Sequence, residues 1–197
     1  MRISLTFLIL ILCFQFISKA EDVRDFEIEG MSIGESLLDF MSEKQINEAL
    51  GSEKAYFYEN KFVTISTWDN RGNYETYDNV GVILKQGDST YKIYGLEGLL
   101  ITQDGNIDDC YKKQESIAKE ILIVTGDIYN LNRWSLEKNR RTKEQLAVKY
   151  LDFKIIDSDR KPISIVCFDI NRSGDKYTRL VVAVDSEEFD KYLDTVY

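Results

Sequence analysis

The chain has 197 residues, contains no histidine and carries a formal net charge of −9. Without histidine there is no Ser-His-Asp or Cys-His catalysis, no histidine-containing zinc site and no histidine proton shuttle. The negative charge argues against general nucleic-acid binding, which depends on contacts between cations and phosphates. The length suits one domain with its own hydrophobic core.

The first 20 residues have the pattern of a secretory signal peptide. Arg2 precedes an apolar run from Ile3 to Ile17, and the small residues Ser18 and Ala20 occupy the two positions that a signal peptidase recognises. The run is shorter than the roughly 20 residues that a transmembrane helix needs. We therefore predict cleavage after Ala20 and an exported chain, periplasmic or secreted. A retained N-terminal anchor is the alternative.

Residues 21–197 are then predicted to form a single α+β domain. The run "DFEIEG" alternates as a short strand does, and residues 31–51 indicate two short helices. Ser42 and Gln45 have the spacing of a capping box, and Gly51 provides a stop signal. Strand-like runs separated by turn residues follow, namely "KAYFYE", "KFVTISTWD", "NYETYDNVGVILK", "STYKIYG" and "LLITQ".

A longer helix is predicted from about Ile107. Its apolar residues have helical spacing and define a buried stripe, which consists of Ile107, Cys110, Ile117, Ile121 and Leu122. The polar and basic segment Thr125–Lys143 then breaks the pattern. We predict that it is a surface excursion with one helical turn.

Three more strands and a helix complete the predicted order. The strands are "AVKYLDFKII", "ISIVCFDI" and "YTRLVVAVD", and Ser186 caps a C-terminal helix. Short turns between alternating strands favour antiparallel pairing. The predicted fold class is therefore α+β: an antiparallel sheet with N-terminal short helices, a middle helix and a C-terminal helix.

Two cysteines remain once Cys13 is removed with the signal peptide. Cys110 lies on the apolar side of the middle helix, and Cys167 lies in a nearly continuous apolar strand. In an oxidising compartment two such thiols pair, so we predict a Cys110–Cys167 disulfide that fastens the helix to the sheet. The alternatives are two buried thiols, or a redox-active pair that would lack Cys-x-x-Cys spacing.

The segment from Thr125 to Lys143 is locally basic in an acidic protein. Its candidate residues for docking an anionic partner, such as lipid headgroups or an acidic protein, are Arg133, Trp134, Lys138, Arg140, Arg141 and Lys143. The alternative is a solvated loop whose cations balance nearby carboxylates.

Carboxylates are the catalytic side chains that remain available, as in glycoside hydrolysis. Among 34 acidic residues the sequence singles out no pair, so no catalytic residue is assigned. Asp104, Asn106, Asp108 and Glu115 have the spacing of a calcium loop, but Asp109 replaces the glycine that the turn requires. We interpret these acids as favourable charges at a helix N-terminus and predict no metal site and no cofactor.

Aromatic residues are concentrated in the first strands. They are Tyr56, Phe57, Tyr58, Trp68, Tyr74, Tyr77, Tyr91 and Tyr94. Tyrosine and tryptophan combine apolar area with a polar group, which suits sugar or peptide surfaces. Strands also favour aromatic residues for packing alone, so the pattern leaves both interpretations open.

Three stretches, "EIEGMSIGESLLDFMSEKQI", the cysteine-containing helix and "EFDKYLD", resemble a family of small exported proteins from marine alphaproteobacteria whose activity is not established. The resemblance implies export and supplies no functional residues. A shorter stretch of about 25 residues, with "GMS", short helices and "LG", resembles outer-membrane assembly lipoproteins of the SmpA/OmlA type. Leu12 precedes Cys13 where the lipobox of those lipoproteins has a small residue.

We expect a non-catalytic binding or envelope-associated role, with an envelope protein or a small ligand as the partner. The alternative is a histidine-independent hydrolase that uses carboxylates. A binding module should present an exposed aromatic or basic concave surface. The enzyme should hold two inward-facing carboxylates in one cleft, one of them with a raised pKa.

Overall fold

The computed structural model describes residues 23–59, 61–67, 74–103, 105–136, 146–156, 160–172 and 175–196. In this part of the chain, eight strands form one antiparallel sheet and a separate hairpin has two strands. Short helices come first, a long helix follows mid-chain and another helix ends the chain. The predicted α+β class and its order of helices are confirmed.

The hairpin consists of β1 (Glu27–Ile28) and β2 (Met31–Ser32). The large sheet contains β3 (Tyr56–Tyr58), β4 (Phe62–Ser66), β5 (Asn79–Lys85), β6 (Ile93–Gln103), β7 (Tyr129–Leu136), β8 (Leu146–Ile155), β9 (Ile163–Arg172) and β10 (Asp175–Asp185). Their order across the sheet is β3-β4-β5-β6-β10-β9-β8-β7, so β3 and β7 form its edges. The α-helices are α1 (Glu43–Leu50), α2 (Ile107–Thr125) and α3 (Glu187–Val196).

Glu29 ties the N-terminal hairpin to the segment that leads into β5. Its carboxylate accepts the backbone N–H groups of Glu75 (2.9 Å), Thr76 (2.7 Å) and Tyr77 (2.9 Å). Burial raises the pKa of Glu29, but these three hydrogen bonds lower the pKa by more, so it lies below its ordinary value. The carboxylate therefore stays ionised and holds the segment against the hairpin.

The start of helix α1 has the predicted capping box. The backbone N–H of Gln45 donates to the hydroxyl of Ser42 (3.4 Å), and the backbone N–H of Ser42 donates to the Gln45 side chain (3.0 Å). Ile46 is fully buried, and Gly51 ends the helix as expected. Helix α1 therefore covers the core at the β4 end of the sheet.

Strand β6 is longer than the sequence pattern predicts, because "STYKIYG" and "LLITQ" contribute to one continuous strand. Gly95 and Gly98 lie inside this strand, and in the sequence they indicated that one strand ended and another began. Both are paired on either side, and a Cβ at Gly98 would lie 2.5 Å from the ring of Tyr77. The glycines therefore permit close packing on the strand and do not end it.

The core face of the sheet carries the main hydrophobic cluster, which includes Val82, Leu96, Leu151, Phe153, Ile165 and Leu180. Helix α2 crosses this face over β8, β9 and β10. In the predicted stripe of α2, Cys110 is buried, while Ile107, Ile117, Ile121 and Leu122 are half-buried. Gln114 of this helix is fully buried, and its amide donates to the carbonyls of Lys149 (2.9 Å) and Ile165 (2.6 Å).

The predicted disulfide is present. Cys110 of α2 and Cys167 of β9 are bonded, with their Cα atoms 6.1 Å apart and 57 positions apart in sequence. Cys167 is fully buried, and Cys110 is 8% exposed. The bond joins the middle helix to an inner strand of the sheet, as the sequence indicated.

The predicted surface excursion over Thr125–Lys143 has its one helical turn, a 3₁₀ turn at Gly126–Ile128, but the rest of its described part is a strand of the sheet and not a loop. Residues Tyr129–Leu136 form β7, which pairs with β8 along its whole length. The segment is polar because an edge strand exposes much of its surface, so its hydrophobic pattern is weak. Residues 137–145 lie outside the described part of the chain.

The outer face of the sheet has two smaller apolar clusters. Helix α3 covers one of them, in which Phe189 and Tyr192 pack against Phe62, Ile83 and Tyr94. The other cluster contains Val148, Val166 and Val181. Between these two clusters the outer face carries acidic residues at the junction of β6 and β10.

Candidate functional site

A groove lies where the core face of the sheet extends past the end of helix α1. Its volume is about 430 Å³. Its apolar lining comes from Leu50, Phe57, Val63, Leu84 and Tyr91. We call it the aromatic groove. Phe57 lies opposite Val63 in the sheet and Val63 lies opposite Leu84, so three strands present adjacent apolar side chains to the same space.

The polar rim of the aromatic groove is the turn between β5 and β6. The hydroxyl and the backbone N–H of Thr90 both donate to the carboxylate of Asp88. Both hydrogen bonds lower the pKa of Asp88, and the hydroxyl has the larger effect. Gln86 donates to the carbonyl of Phe62 (2.7 Å). These bonds fix the turn and hold the carboxylate of Asp88 beside the apolar lining, while the ammonium of Lys85 pairs with Glu188 of α3 (2.9 Å).

Tyr91 closes the groove against α1 in a strained conformation. Its φ is +49°, a region that side chains other than glycine rarely adopt. Its hydroxyl donates to Glu43 (3.2 Å), and its carbonyl accepts the N–H of Leu37 (2.9 Å). Such strain persists where the surrounding structure enforces it, and binding sites are common locations for it.

Of the eight aromatic residues predicted as a candidate surface, the seven that the structure describes are not brought together. Phe57 and Tyr91 line the groove, whereas Tyr56 is 56% exposed on the other side of β3. Tyr58 and Tyr94 pack in the cluster with α3. Tyr74 and Tyr77 pack against the main core, and Trp68 lies outside the described residues. Most of this aromatic pattern therefore serves packing.

Two carboxylates that the sequence did not single out lie together on the outer face. Glu97 of β6 and Asp185 of β10 are diagonal neighbours, because Glu97 faces Ala183 and Gly95 faces Asp185. Each lies over a glycine: a Cβ at Gly81 would be 3.0 Å from a Glu97 oxygen, and one at Gly95 would be 2.8 Å from an Asp185 oxygen. We call Glu97 and Asp185 the carboxylate pair.

Burial raises the pKa of both members of the carboxylate pair. For Asp185 the pKa lies well above its ordinary value, because of burial first and then the charges of Glu97 and Asp190. For Glu97, Arg179 opposes part of the effect of burial. One signal was available in the sequence: Glu97 is the only charged residue in the apolar run "IYGLEGLL". The aromatic groove is lined by neither carboxylate.

The predicted basic patch is only partly described. Arg133 lies on β7 and pairs with Glu115 of α2 (3.1 Å), which also pairs with Lys149 of β8 (3.3 Å). The hydrogen bond from Arg133 has the largest effect on Glu115 and lowers its pKa. Burial raises this pKa by less, and Lys149 lowers it further. The backbone of Trp134 lies in β7, while Lys138, Arg140, Arg141 and Lys143 lie outside the described residues. Whether these residues form one binding patch therefore stays a prediction. Arg133 is already part of an ion pair between β7 and α2.

The acids with calcium-loop spacing have other roles in the structure. Asn106 caps α2 by accepting the N–H of Asp108 (3.0 Å), Asp109 pairs with Lys112 (2.8 Å) and Glu115 bonds the two cations named above. Asp104 lies outside the described residues. Over the described ranges, no group of three or more acidic or cysteine side chains has an arrangement that could hold a metal ion.

Comparison with known proteins found no match to a family model, to a curated protein or to a solved structure. The resemblance to small exported proteins therefore stays a prediction. Within the part of the chain that is described, helices with the length and apolar character needed to cross a membrane are lacking. The disulfide points to folding in an oxidising compartment.

Proposed function

We propose that the protein is an exported, non-catalytic binding protein whose ligand places an apolar or aromatic group in the aromatic groove. The observation that carries the proposal is Phe57, which is 53% exposed beside a concave apolar surface. An exposed aromatic concave surface is what distinguishes a binding module from a packed strand. Its apolar lining favours burial of an apolar ligand group, since each square ångström removed from water contributes about 25 cal/mol.

The size and rim of the groove limit the ligand. A volume of about 430 Å³ lies in the range of small-molecule sites, so the groove suits an aromatic or aliphatic group such as the side chain of a peptide. Asp88 at the rim provides a carboxylate for a polar end of the ligand, whereas the ammonium of Lys85 is already paired with Glu188 of α3. The ligand class is therefore an apolar group attached to a polar chain, in a small ligand or an envelope protein.

Replacing Phe57 tests this proposal directly. We expect the uncharged fluorescent probe N-phenyl-naphthylamine to bind the native protein saturably, and Phe57→Ala to weaken binding at least about fivefold, because the substitution removes an aromatic wall. A fluorescence titration measures the affinity. The matched control is Tyr56→Ala, which removes an equally exposed ring from the same strand but from the other face.

Two results would contradict the groove as a binding site. One is the absence of saturable probe binding to the native protein. The other is an equal loss of affinity in Phe57→Ala and Tyr56→Ala. Thermal melting of both variants shows whether they are folded, because unfolded chains could also bind the probe. We expect their melting temperatures to stay close to that of the native protein, since both side chains are exposed.

Export is the second part of the proposal, and it rests on the signal-peptide pattern and the disulfide. We expect the protein from the periplasm or medium of an exporting bacterial host to begin at Glu21, since Ser18 and Ala20 are the small residues after the apolar run. Intact-mass measurement decides this. An N-terminus at Met1 would contradict export by cleavage. Ala20→Leu is the control that should block processing.

A hydrolase that uses the carboxylate pair is the second candidate function. The observation that favours it is the adjacency of Glu97 and Asp185 on the outer face, with burial raising the pKa of each. Carboxylates with displaced pKa values are typical of acid–base sites. The binding function is preferred because the aromatic groove is an open concave surface, whereas both carboxylates are half-buried.

A further inference from the structure

Strand β3 leaves one side of its backbone open at the edge of the sheet, beside the aromatic groove. Over the described residues, its pairing partner in the sheet is β4 alone. The carbonyl of Tyr58 accepts the N–H of Lys61 in the turn that leads into β4 (3.0 Å), so the hydrogen-bonding groups of Tyr58 point toward β4. Because these groups alternate in direction along a strand, the N–H and the carbonyl of Phe57 point to the open edge.

The side chains of β3 differ from those of the other edge strand. All three residues of β3 are aromatic, and Tyr56 and Phe57 are 56% and 53% exposed. By contrast, β7 exposes asparagine, arginine and serine side chains. Polar and charged side chains protect a sheet edge from further pairing, whereas an apolar edge favours it. The exposed rings therefore mark β3 as the edge that is open to a further strand.

The open backbone groups and the lining of the aromatic groove belong to the same residue. The side chain of Phe57 lines the groove, while its N–H and carbonyl face the edge. Residues directly opposite each other in neighbouring strands share a face of the sheet. A residue paired with Phe57 would therefore place its side chain on the face of the groove. Its two neighbours would lie beside Tyr56 and Tyr58 on the other face.

Charge decides between a second copy of this chain and a different protein as the source of the strand. Each copy carries a formal net charge of −9, so two copies repel one another. A strand with basic residues is attracted instead, and a cation beside an aromatic ring gains a further favourable contact. Tyr56 offers such a ring, since more than half of it is exposed. The favoured occupant is therefore a basic, extended segment of another protein.

We propose that β3 binds an extended segment of another protein as a further antiparallel strand, with an apolar side chain in the aromatic groove and a basic residue on either side of it. This binding mode rests on the proposed function of the groove and specifies the class of ligand. In strand addition, backbone hydrogen bonds supply affinity and pockets for side chains supply specificity. Because β3 has three residues, Phe57 supplies the central backbone pair.

N-methylated peptides test the backbone pairing. The parent peptide is acetyl-Thr-Lys-Phe-Lys-Thr-amide, and titration calorimetry with the full exported chain measures its affinity. We expect saturable binding that N-methylation of the central phenylalanine weakens at least about fivefold, because the methyl group removes the donor to the carbonyl of Phe57. N-methylation of the lysine that follows is the matched control. The N–H of that lysine points away from β3, so the loss should stay below about twofold.

Amide hydrogen exchange shows whether the peptide lies at this edge. In the free protein we expect the N–H of Phe57 to exchange fast, and saturating parent peptide should slow this exchange at least about tenfold because the N–H becomes hydrogen-bonded. The amide of exposed Ser135 on the other edge strand, β7, is the control. It should exchange at the same rate with and without the peptide.

Failure of strand addition can be told apart from failure of the groove. Strand addition is overturned if the parent peptide does not bind saturably, if central methylation costs no more affinity than flanking methylation, or if bound peptide leaves exchange at Phe57 unchanged. The groove function still stands in each case if N-phenyl-naphthylamine binds the native protein and Phe57→Ala weakens that binding. Dimers that form through β3 without peptide would also overturn the proposal, because a second copy would then occupy the edge.

Discussion

Removal of the Cys110–Cys167 disulfide is expected to lower the free energy of unfolding by roughly 4 kcal/mol. The bond spans 57 positions, so its loss lets the unfolded chain explore many more conformations. For an ordinary domain, whose total stability is about 5–15 kcal/mol, this is a large fraction. Urea denaturation of the double variant Cys110→Ala/Cys167→Ala measures the effect.

The single variants provide a control for the cross-link itself. Cys110→Ala and Cys167→Ala should each cost about as much as the double variant, because all three lose the same bond. Additive costs would instead show that packing of each sulfur dominates. Thiol alkylation of the denatured, unreduced protein is the covalent check. Labelling of two cysteines per mature chain would contradict the disulfide, and a bond between chains would contradict its intramolecular pairing.

The disulfide could be predicted from the sequence because the local apolar pattern and the small number of cysteines both indicate the same pair. Apolar spacing placed Cys110 on the buried side of a helix, and an apolar run placed Cys167 on an inner strand. With two cysteines left after the predicted signal removal, the number of intramolecular pairings is one. The capping box at Ser42 was predictable for a similar reason, since all of its atoms lie within four residues.

The features that the sequence missed depend on contacts between distant residues. Strand β7 is held by β8, and the polar pattern of an edge strand does not differ from that of a loop. Gln114 is buried because two strand carbonyls receive its amide, which no local pattern shows. The aromatic groove likewise depends on sheet order, because Phe57, Val63 and Leu84 come from three strands.

Neutralising Asp185 is expected to stabilise the protein at neutral pH. We expect Asp185→Asn to raise the free energy of unfolding by about 1–3 kcal/mol at pH 7, the usual penalty of burying a polar group without adequate partners. The reason is that burial, then Glu97 and Asp190, place the pKa of Asp185 well above its ordinary value. Denaturation at several pH values measures the gain.

The pH dependence of this gain has a definite sign. A carboxyl group with a raised pKa in the folded state binds its proton more tightly there than in the unfolded chain. Its contribution to stability is fully present below the unfolded pKa of about 4 and is lost as the pH rises through the folded pKa. The amide that replaces the carboxyl group in Asp185→Asn cannot ionise, so the advantage of the variant should be small near pH 4 and should grow toward pH 7.

Exposed Asp39 provides the control, since Asp39→Asn should change stability by less than about 0.5 kcal/mol at each pH. A destabilised Asp185→Asn variant at pH 7 would contradict the interpretation that the ionised carboxylate is unfavourable there. The same variant bears on the second candidate function, because proteins keep destabilising groups where activity requires them. If the carboxylate pair is catalytic, Asp185→Asn should gain stability and lose hydrolysis of chromogenic glycosides. If the native protein hydrolyses none of them, glycoside hydrolysis by the pair is contradicted, and the binding function stands alone.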